Sequence, residues 1–182
     1  MTSLTFFTVL VGLVALERVA ELVVSRRNAA WSLGRGGVET GRGHYPVMVV
    51  LHTGLLVGML LEAWLRLPDV PASLAYPMVV LAVASQGLRW WCIATLGRRW
   101  NTRVIVVPGL PLVRSGPYRF FSHPNYVAVV VEGVALPLVH ACWGTAVLFT
   151  VANAVLLTVR LRVENAALGS ASPQGPGEPL HA

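Results

Sequence analysis

The chain has 182 residues, 55% of them hydrophobic and 12% charged, whereas a water-soluble domain of this size carries about 25% charged residues. The apolar surplus is gathered into long blocks separated by short, arginine-bearing loops, which excludes an ordinary water-facing fold and points to a bilayer. All 14 basic residues are Arg and the net charge is +6. They stand at the ends of apolar blocks, as loop charges of membrane proteins do, with no arginine stripe interleaved with aromatics, so the positive charge does not imply nucleic acid.

The first block runs from about Leu4 to Val24, long enough to span a hydrocarbon core of about 30 Å. It has no basic segment before it and no small-residue cleavage site, and reads as a retained helix. Ser25-Arg26-Arg27-Asn28 is expected to end it, and Leu33 to Gly43, with five Gly and two Arg, is expected to be a loop. Block two covers about Pro46 to Trp64 and block three about Tyr76 to Leu96, separated by the turn Leu67-Pro68-Asp69-Val70-Pro71. From Val104 to Tyr126 the chain is mixed. Val104 to Val107 suits a short extended piece, and Pro108, Gly109, Pro111, Gly116, Pro117 and Pro124 forbid a long helix. Block four, Val127 to Val139, is too short to span alone unless its helix starts near His123. With block five, about Ala141 to Val159 and continuing to Glu164, it should form a helical hairpin. The Ser/Pro/Gly-rich tail from Gly169 reads as disordered.

These features predict an all-α integral membrane protein of about five transmembrane helices. With five spans, three Arg-rich regions fall on one face: Arg26, Arg27, Arg35 and Arg42; Arg98, Arg99, Arg103, Arg114 and Arg119; and Arg160 with Arg162. That face is expected to be cytoplasmic, with the amino terminus opposite.

Ionisable residues within the blocks need a reason. Glu17 and Glu21 share a helix face, with Arg18 pointing elsewhere; an ion-pair set completed by Arg89 and a polar wall of an active site are both open readings. Glu62, near a helix end, reads as interfacial. Glu132 has no compensating charge nearby in sequence, so it needs a partner on another helix or a polar pocket, and is a candidate substrate contact. His44 and His52 are two helical turns apart, which does not suit a metal pair, and His140 reads as a cap or interface residue. Cys92 and Cys142 lack metal-ligand spacing and read as small buried side chains.

The densest constellation is Ser115-Gly116-Pro117-Tyr118 followed by His123-Pro124-Asn125-Tyr126. Gly116-Pro117 makes a turn, the tyrosines supply aromatic faces with hydroxyl tips, and His123-Pro124 stands where a helix begins, its free N–H groups favouring an anion. An interfacial loop with aromatic anchors would have the same composition.

Together with Arg160 and Glu164 after the last span, these motifs resemble the isoprenylcysteine carboxyl methyltransferase family over roughly Trp100 to Leu168. The resemblance implies one membrane-embedded domain over 1–168, its cofactor part at about 100–168, with 169–182 as tail. It implies S-adenosylmethionine as methyl donor, held by Arg103, Leu110, Pro111, Leu112, Val113, Tyr118, His123, Pro124, Asn125, Tyr126 and Glu164. It further implies Arg160 as the contact to an anionic acceptor, and no metal. Two positions depart from the family pattern: Ser122 stands where Arg usually precedes His-Pro, and Asn165 where a second Glu commonly follows the first. An acceptor carboxylate or acidic hydroxyl is already ionised at pH 7, so positioning by Arg160 and Glu164 can suffice without a general base. An Arg-only, compact chain fits a GC-rich bacterial genome and a lipid-like acceptor in the cytoplasmic membrane, such as an alkylpyrone-type polyketide or a prenylcysteine-like acid. The competing readings are a nicotinamide-dependent membrane reductase of an unsaturated lipid and a small non-catalytic transporter or assembly protein.

Overall fold

The computed structural model describes residues 3–171. Five helices dominate: α1 (Ser3–Leu33), α2 (His44–Arg66), α3 (Ala72–Leu96), α4 (Pro124–Leu138) and α5 (Trp143–Ala171), with two short strands, β1 (Val38–Thr40) and β2 (Val104–Val106). Punctuation in the sequence accounts for most boundaries. Leu67 ends α2 in a left-handed conformation (φ 45°) before Pro68 forbids continuation, and Pro124 occupies the first turn of α4, where its missing N–H costs nothing. Gly97, at φ 53°, ends α3 and opens a 3₁₀ turn over Gly97–Arg99.

Three helical stretches, His44–Arg66, Ala72–Arg99 and Trp143–Ser170, are long and apolar enough to cross a membrane. Their outer faces carry bare aliphatic side chains such as Leu65, Leu148 and Val50, 82%, 73% and 71% exposed. Such a surface is stable against acyl chains and not against water. The chain is thus an all-α membrane protein. Helix α4, about 22 Å long, is too short to span by itself and lies at the centre, packed on α3 and α5 and buried along much of its length. It turns into α5 through Val139 to Cys142, with Ala141 at φ 51°, making the anticipated hairpin. The hairpin closes tightly because Gly133 lets the Phe149 ring lie directly on the α4 backbone; a methyl group there would overlap the ring.

Helix α1 does not stop at Val24. It continues to Leu33 because Ser25, Asn28 and Ser32 recur at helical spacing on one buried face, so polar contacts replace apolar ones beyond the hydrophobic stretch. Ser25 Oγ lies 2.8 Å from Thr102 Oγ1, and Asn28 Nδ2 donates to the carbonyls of Gly97 and Trp100 at 3.1 and 2.7 Å. The glycine-rich stretch after α1 is also more than a loop. Its strand β1 pairs antiparallel with β2 in the register Val38↔Val106, Glu39↔Ile105 and Thr40↔Val104. These pairings gather the carboxy-terminal ends of α1, α3 and α5, the amino-terminal ends of α2 and α4, and the strands at one end of the bundle. The three Arg-rich regions share that end. At the other end, Glu62 accepts from the Gly144 and Thr145 amides at 3.0 and 2.7 Å and caps α5. Helix α5 carries Gly169 to Ala171, the start of the expected tail, and the remainder of that tail lies outside the described residues.

The membrane-embedded charges form one network. Arg18 does not point away from Glu21: its Nη1 lies 2.5 Å from Glu21 Oε2, and its Nη2 donates to Glu132 and Gln86 at 2.9 Å. Arg89 pairs with Glu132 and reaches Glu21 at 3.5 Å. Two cations and two anions therefore cancel within the bundle, tying α1, α3 and α4 together. Glu17 accepts from the indole N–H of Trp90. His140 is buried against Phe7, ring centroids 5.1 Å apart, with neither ring nitrogen hydrogen-bonded.

Candidate functional site

A cavity of about 740 Å³ opens at the arginine-rich end, within the 300–1,000 Å³ typical of small-molecule sites. Four segments, with Ser32 at the end of α1, build it. The first is the stretch after α3, from Leu96 through β2. The second is the extended run Leu110 to Val113, held by Arg99 Nη1 donating to the Pro111 carbonyl at 2.7 Å. The third is the 3₁₀ turn Gly116–Arg119 with the start of α4. The fourth is one face of α5, where Arg160, Glu164 and Leu168 follow at four-residue spacing.

Gly116 is at φ 56°, and a methyl group there would stand 2.5 Å from Thr95 Oγ1. The turn can therefore press against α3 only with glycine, and that contact sets Tyr118 in the cavity wall. Burial pushes the Tyr118 phenol above its ordinary range, with the Cys92 thiol and Glu164 carboxylate adding to it, so it stays protonated through neutral pH.

Tyr126 joins α4 to α5. Its hydroxyl accepts from Arg160 Nε at 2.8 Å and donates to Glu164. Its ring stacks on His123, centroids 5.4 Å apart, and lies under the Arg160 guanidinium at 5.5 Å. His123 faces Glu164 at 3.7 Å through Nδ1, while Nε2 meets Asn165 Oδ1 at 3.0 Å. Arg160 Nη2 donates to the Thr102 carbonyl at 2.7 Å, and Nη1 lies against the sulfur of Met48, a weak acceptor.

Ten of the eleven residues that the family resemblance assigns to the cofactor border this cavity: Arg103, Leu110, Pro111, Leu112, Val113, Tyr118, His123, Asn125, Tyr126 and Glu164, as does Arg160. Pro124 does not border it. It is buried beneath the wall as the first residue of α4. Glu132 is not brought to the cavity, and the reading of it as a substrate contact is corrected: Arg18 and Arg89 occupy its carboxylate inside the bundle. Sequence reasoning passed over Ser32, Trp100, Asn101 and the inward side of β2, all of which line the cavity. The signal was the polar Ser25/Asn28/Ser32 spacing after the first apolar block. Among the described residues no group of three His, Cys, Asp or Glu side chains is arranged to hold a metal.

Residues 78–170, just over half the chain and all four cavity segments, match the isoprenylcysteine carboxyl methyltransferase family. The chain belongs to this family. Its members are S-adenosylmethionine-dependent methyltransferases, so the arginine-rich cavity lies within a membrane methyltransferase scaffold. The chain is also 36% identical over 162 residues to the uncharacterized protein YpbQ of Bacillus subtilis (strain 168), covering 89% of this chain and 96% of that one. No solved structure matches the chain significantly.

Proposed function

We propose that this family member is an S-adenosylmethionine-dependent O-methyltransferase whose acceptor is a carboxylate or acidic hydroxyl on a membrane-partitioned, lipid-like molecule. The observation that carries the reading is Arg160. It is 7% exposed, borders the cavity, and forms no ion pair among the described residues. A buried cation without an anion is costly. An anionic acceptor oxygen would neutralise it where the guanidinium contacts only the weak Met48 acceptor.

The lining fits the methyl donor. The cavity volume suits a nucleoside-sized ligand, and it combines an apolar run, Leu110 to Val113, with tyrosine rings and a carboxylate. When bound, the donor supplies an electrophilic methyl group on a sulfonium. Glu164 offers an anionic acceptor to its ammonium or ribose, and the start of α4 offers the positive end of its helix dipole to its carboxylate. Arg160 orients the acceptor oxygen, and Tyr126 fixes Arg160 relative to Glu164. Because a carboxylate or acidic hydroxyl is ionised at neutral pH, no proton need move, and catalysis rests on alignment of the two ligands. Domain extent over 1–168 and placement of the site on the cytoplasmic face of a bacterial membrane belong to the same reading, supported by the arginines gathered at the cavity end.

The test is a thermal-shift measurement on detergent-solubilised protein with S-adenosylhomocysteine and, separately, with NADPH. It is followed by transfer of a labelled methyl group to alkylpyrone, prenylcysteine and fatty-acid acceptors. Stabilisation by the homocysteine ligand alone, with label in a lipid-soluble ester or ether, is expected. Stabilisation by NADPH alone, or no transfer to any hydroxyl or carboxyl lipid, would overturn the proposal.

A further inference from the structure

The segment from Val107 to His123 joins β2 to α4 and builds two walls of the cavity, the run Leu110 to Val113 and the 3₁₀ turn Gly116–Arg119. Arg114 and Arg119 stand at its rim. Both border the cavity and both are exposed, and neither guanidinium has a hydrogen bond, ion pair or ring contact among the described residues. Next to Arg119, Phe120 and Phe121 are 68% and 52% exposed and do not border the cavity. Three residues on, α4 begins, and it too bares apolar side chains, Val127 and Val130. A solitary exposed arginine is ordinary in water, but a pair of bare phenylalanine rings is stable where a bilayer covers it.

Aromatic rings at a membrane surface settle at the level of the headgroups. Rings at that depth hold the neighbouring guanidinium at the depth of the lipid phosphates, which its planar fork matches. The arginine bias of one membrane face accounts for the end at which these residues lie, but not for their pairing with bare rings. Arg26 and Arg27, exposed on α1 at the same end, have no aromatic beside them in the chain. We infer that Arg114 and Arg119 bind the phosphates of anionic phospholipids in the adjacent leaflet, with Phe120 and Phe121 set at the acyl boundary, and that this contact steadies the two cavity walls the segment builds. A lipid that holds those walls in their ligand-binding arrangement raises ligand affinity, and the ligand tightens the lipid contact by the same factor. The link to the cavity rests on the donor assignment proposed above; the lipid contact does not.

The first measurement is native mass spectrometry of the full-length protein in neutral detergent, titrated with dioleoylphosphatidylglycerol and with dioleoylphosphatidylcholine. Wild type should retain the anionic lipid about tenfold or more tightly. Arg114→Gln with Arg119→Gln should bring the two lipids together. The corresponding lysine pair should keep part of the preference, and Arg26→Gln with Arg27→Gln should keep it within about twofold. The second measurement is titration of S-adenosylhomocysteine in nanodiscs with and without phosphatidylglycerol. Affinity should rise about three- to tenfold with the anionic lipid in the wild type and not in the Arg114/Arg119 glutamine variant. Equal retention of the two lipids by the wild type, an unchanged preference in the folded glutamine variant, or the same loss in the Arg26/Arg27 variant would overturn the inference. Displacement of phosphatidylglycerol by equimolar octyl phosphate would assign the arginines to a phosphate-bearing acceptor and overturn it too. S-adenosylhomocysteine bound equally in both bilayers would overturn the link to the walls, and no binding in either would overturn the donor assignment; the mass-spectrometric preference decides the lipid contact in both cases.

Discussion

Arg160 and Tyr126 are joined by a hydrogen bond of 2.8 Å from the guanidinium Nε to the phenol oxygen, across the α4–α5 hairpin. Because the same hydroxyl donates to Glu164, one oxygen sets the spacing between the cation and the anion of the cavity. Tyr126→Phe keeps the ring, its stack on His123 and its contact with Arg160, and removes only the hydroxyl. Loss of a hydrogen bond to a charged group costs about 1.5–3 kcal/mol. The methyl-transfer kcat/KM should therefore fall roughly 10- to 100-fold, with far-ultraviolet circular dichroism and detergent-extracted yield unchanged. Activity within twofold of wild type would mean that Tyr126 does not position the pair.

The two charged partners of Tyr126 should separate by kinetics. Glu164→Gln removes the cavity's anionic acceptor and should weaken S-adenosylhomocysteine binding by calorimetry about tenfold or more. His123→Ala, which removes the ring between Tyr126, Glu164 and Asn165, should abolish transfer while the protein still inserts into membranes. Arg160→Gln should leave that binding within a few-fold of wild type and raise KM for the acceptor roughly 10- to 100-fold. Equal losses of ligand binding in Glu164→Gln and Arg160→Gln would refute the division of roles.

Glu132 makes a prediction of another kind, because its partners are Arg18 and Arg89 rather than a ligand. Glu132→Gln leaves two buried cations facing Glu21 alone. Removing one partner of a buried pair costs about 3–5 kcal/mol. The variant should show a sharply lower thermal midpoint in detergent, while the fraction that remains folded binds S-adenosylhomocysteine like wild type. Adding Arg89→Met to Glu132→Leu, which removes an anion and a cation together, should recover much of the lost stability. A weakened ligand affinity at unchanged stability would instead tie Glu132 to the cavity.

Hydropathy made the helices legible, since a bilayer demands long apolar blocks, and Pro and Gly marked their ends. The motif from Ser115 to Tyr126 stood out because its turn residues and aromatics are contiguous in sequence, but composition fitted an interfacial loop equally well, and it was the family resemblance that assigned it to a cofactor site. Three things were not legible. The last turns of α1 carry Arg26 and Arg27, which end an apolar count, although the helix persists on the polar face of Ser25, Asn28 and Ser32. The partners of Glu132 sit on α1 and α3, 114 and 43 residues away, and no local spacing encodes them. The β1–β2 pairing likewise depends on strands of three residues each, too short for an alternating pattern to register.

The α1 extension carries the last prediction. Asn28, on α1, is 8% exposed and satisfies the Gly97 and Trp100 carbonyls, while Ser25 bonds both the hydroxyl and the amide of Thr102. The segment so gripped contributes Trp100 and Asn101 to the cavity wall, and its Thr102 carbonyl accepts from Arg160. Asn28→Ala strands the Trp100 carbonyl near the cavity, at a cost of about 1–3 kcal/mol if water cannot replace the amide, while the Gly97 carbonyl keeps the Trp100 backbone N–H. Because the wall is displaced rather than any ligand contact removed, S-adenosylhomocysteine affinity and acceptor KM should both worsen, by roughly 3- to 30-fold. Asn28→Asp, unable to donate to either carbonyl, should be no better than alanine. Asn28→Gln, which keeps the donor on a longer arm, should recover part of both. Hydrogen exchange would locate the effect, with faster exchange confined to residues 97–106 in Asn28→Ala. Unchanged exchange there, together with wild-type binding, would show that the cavity wall stands without its grip from α1.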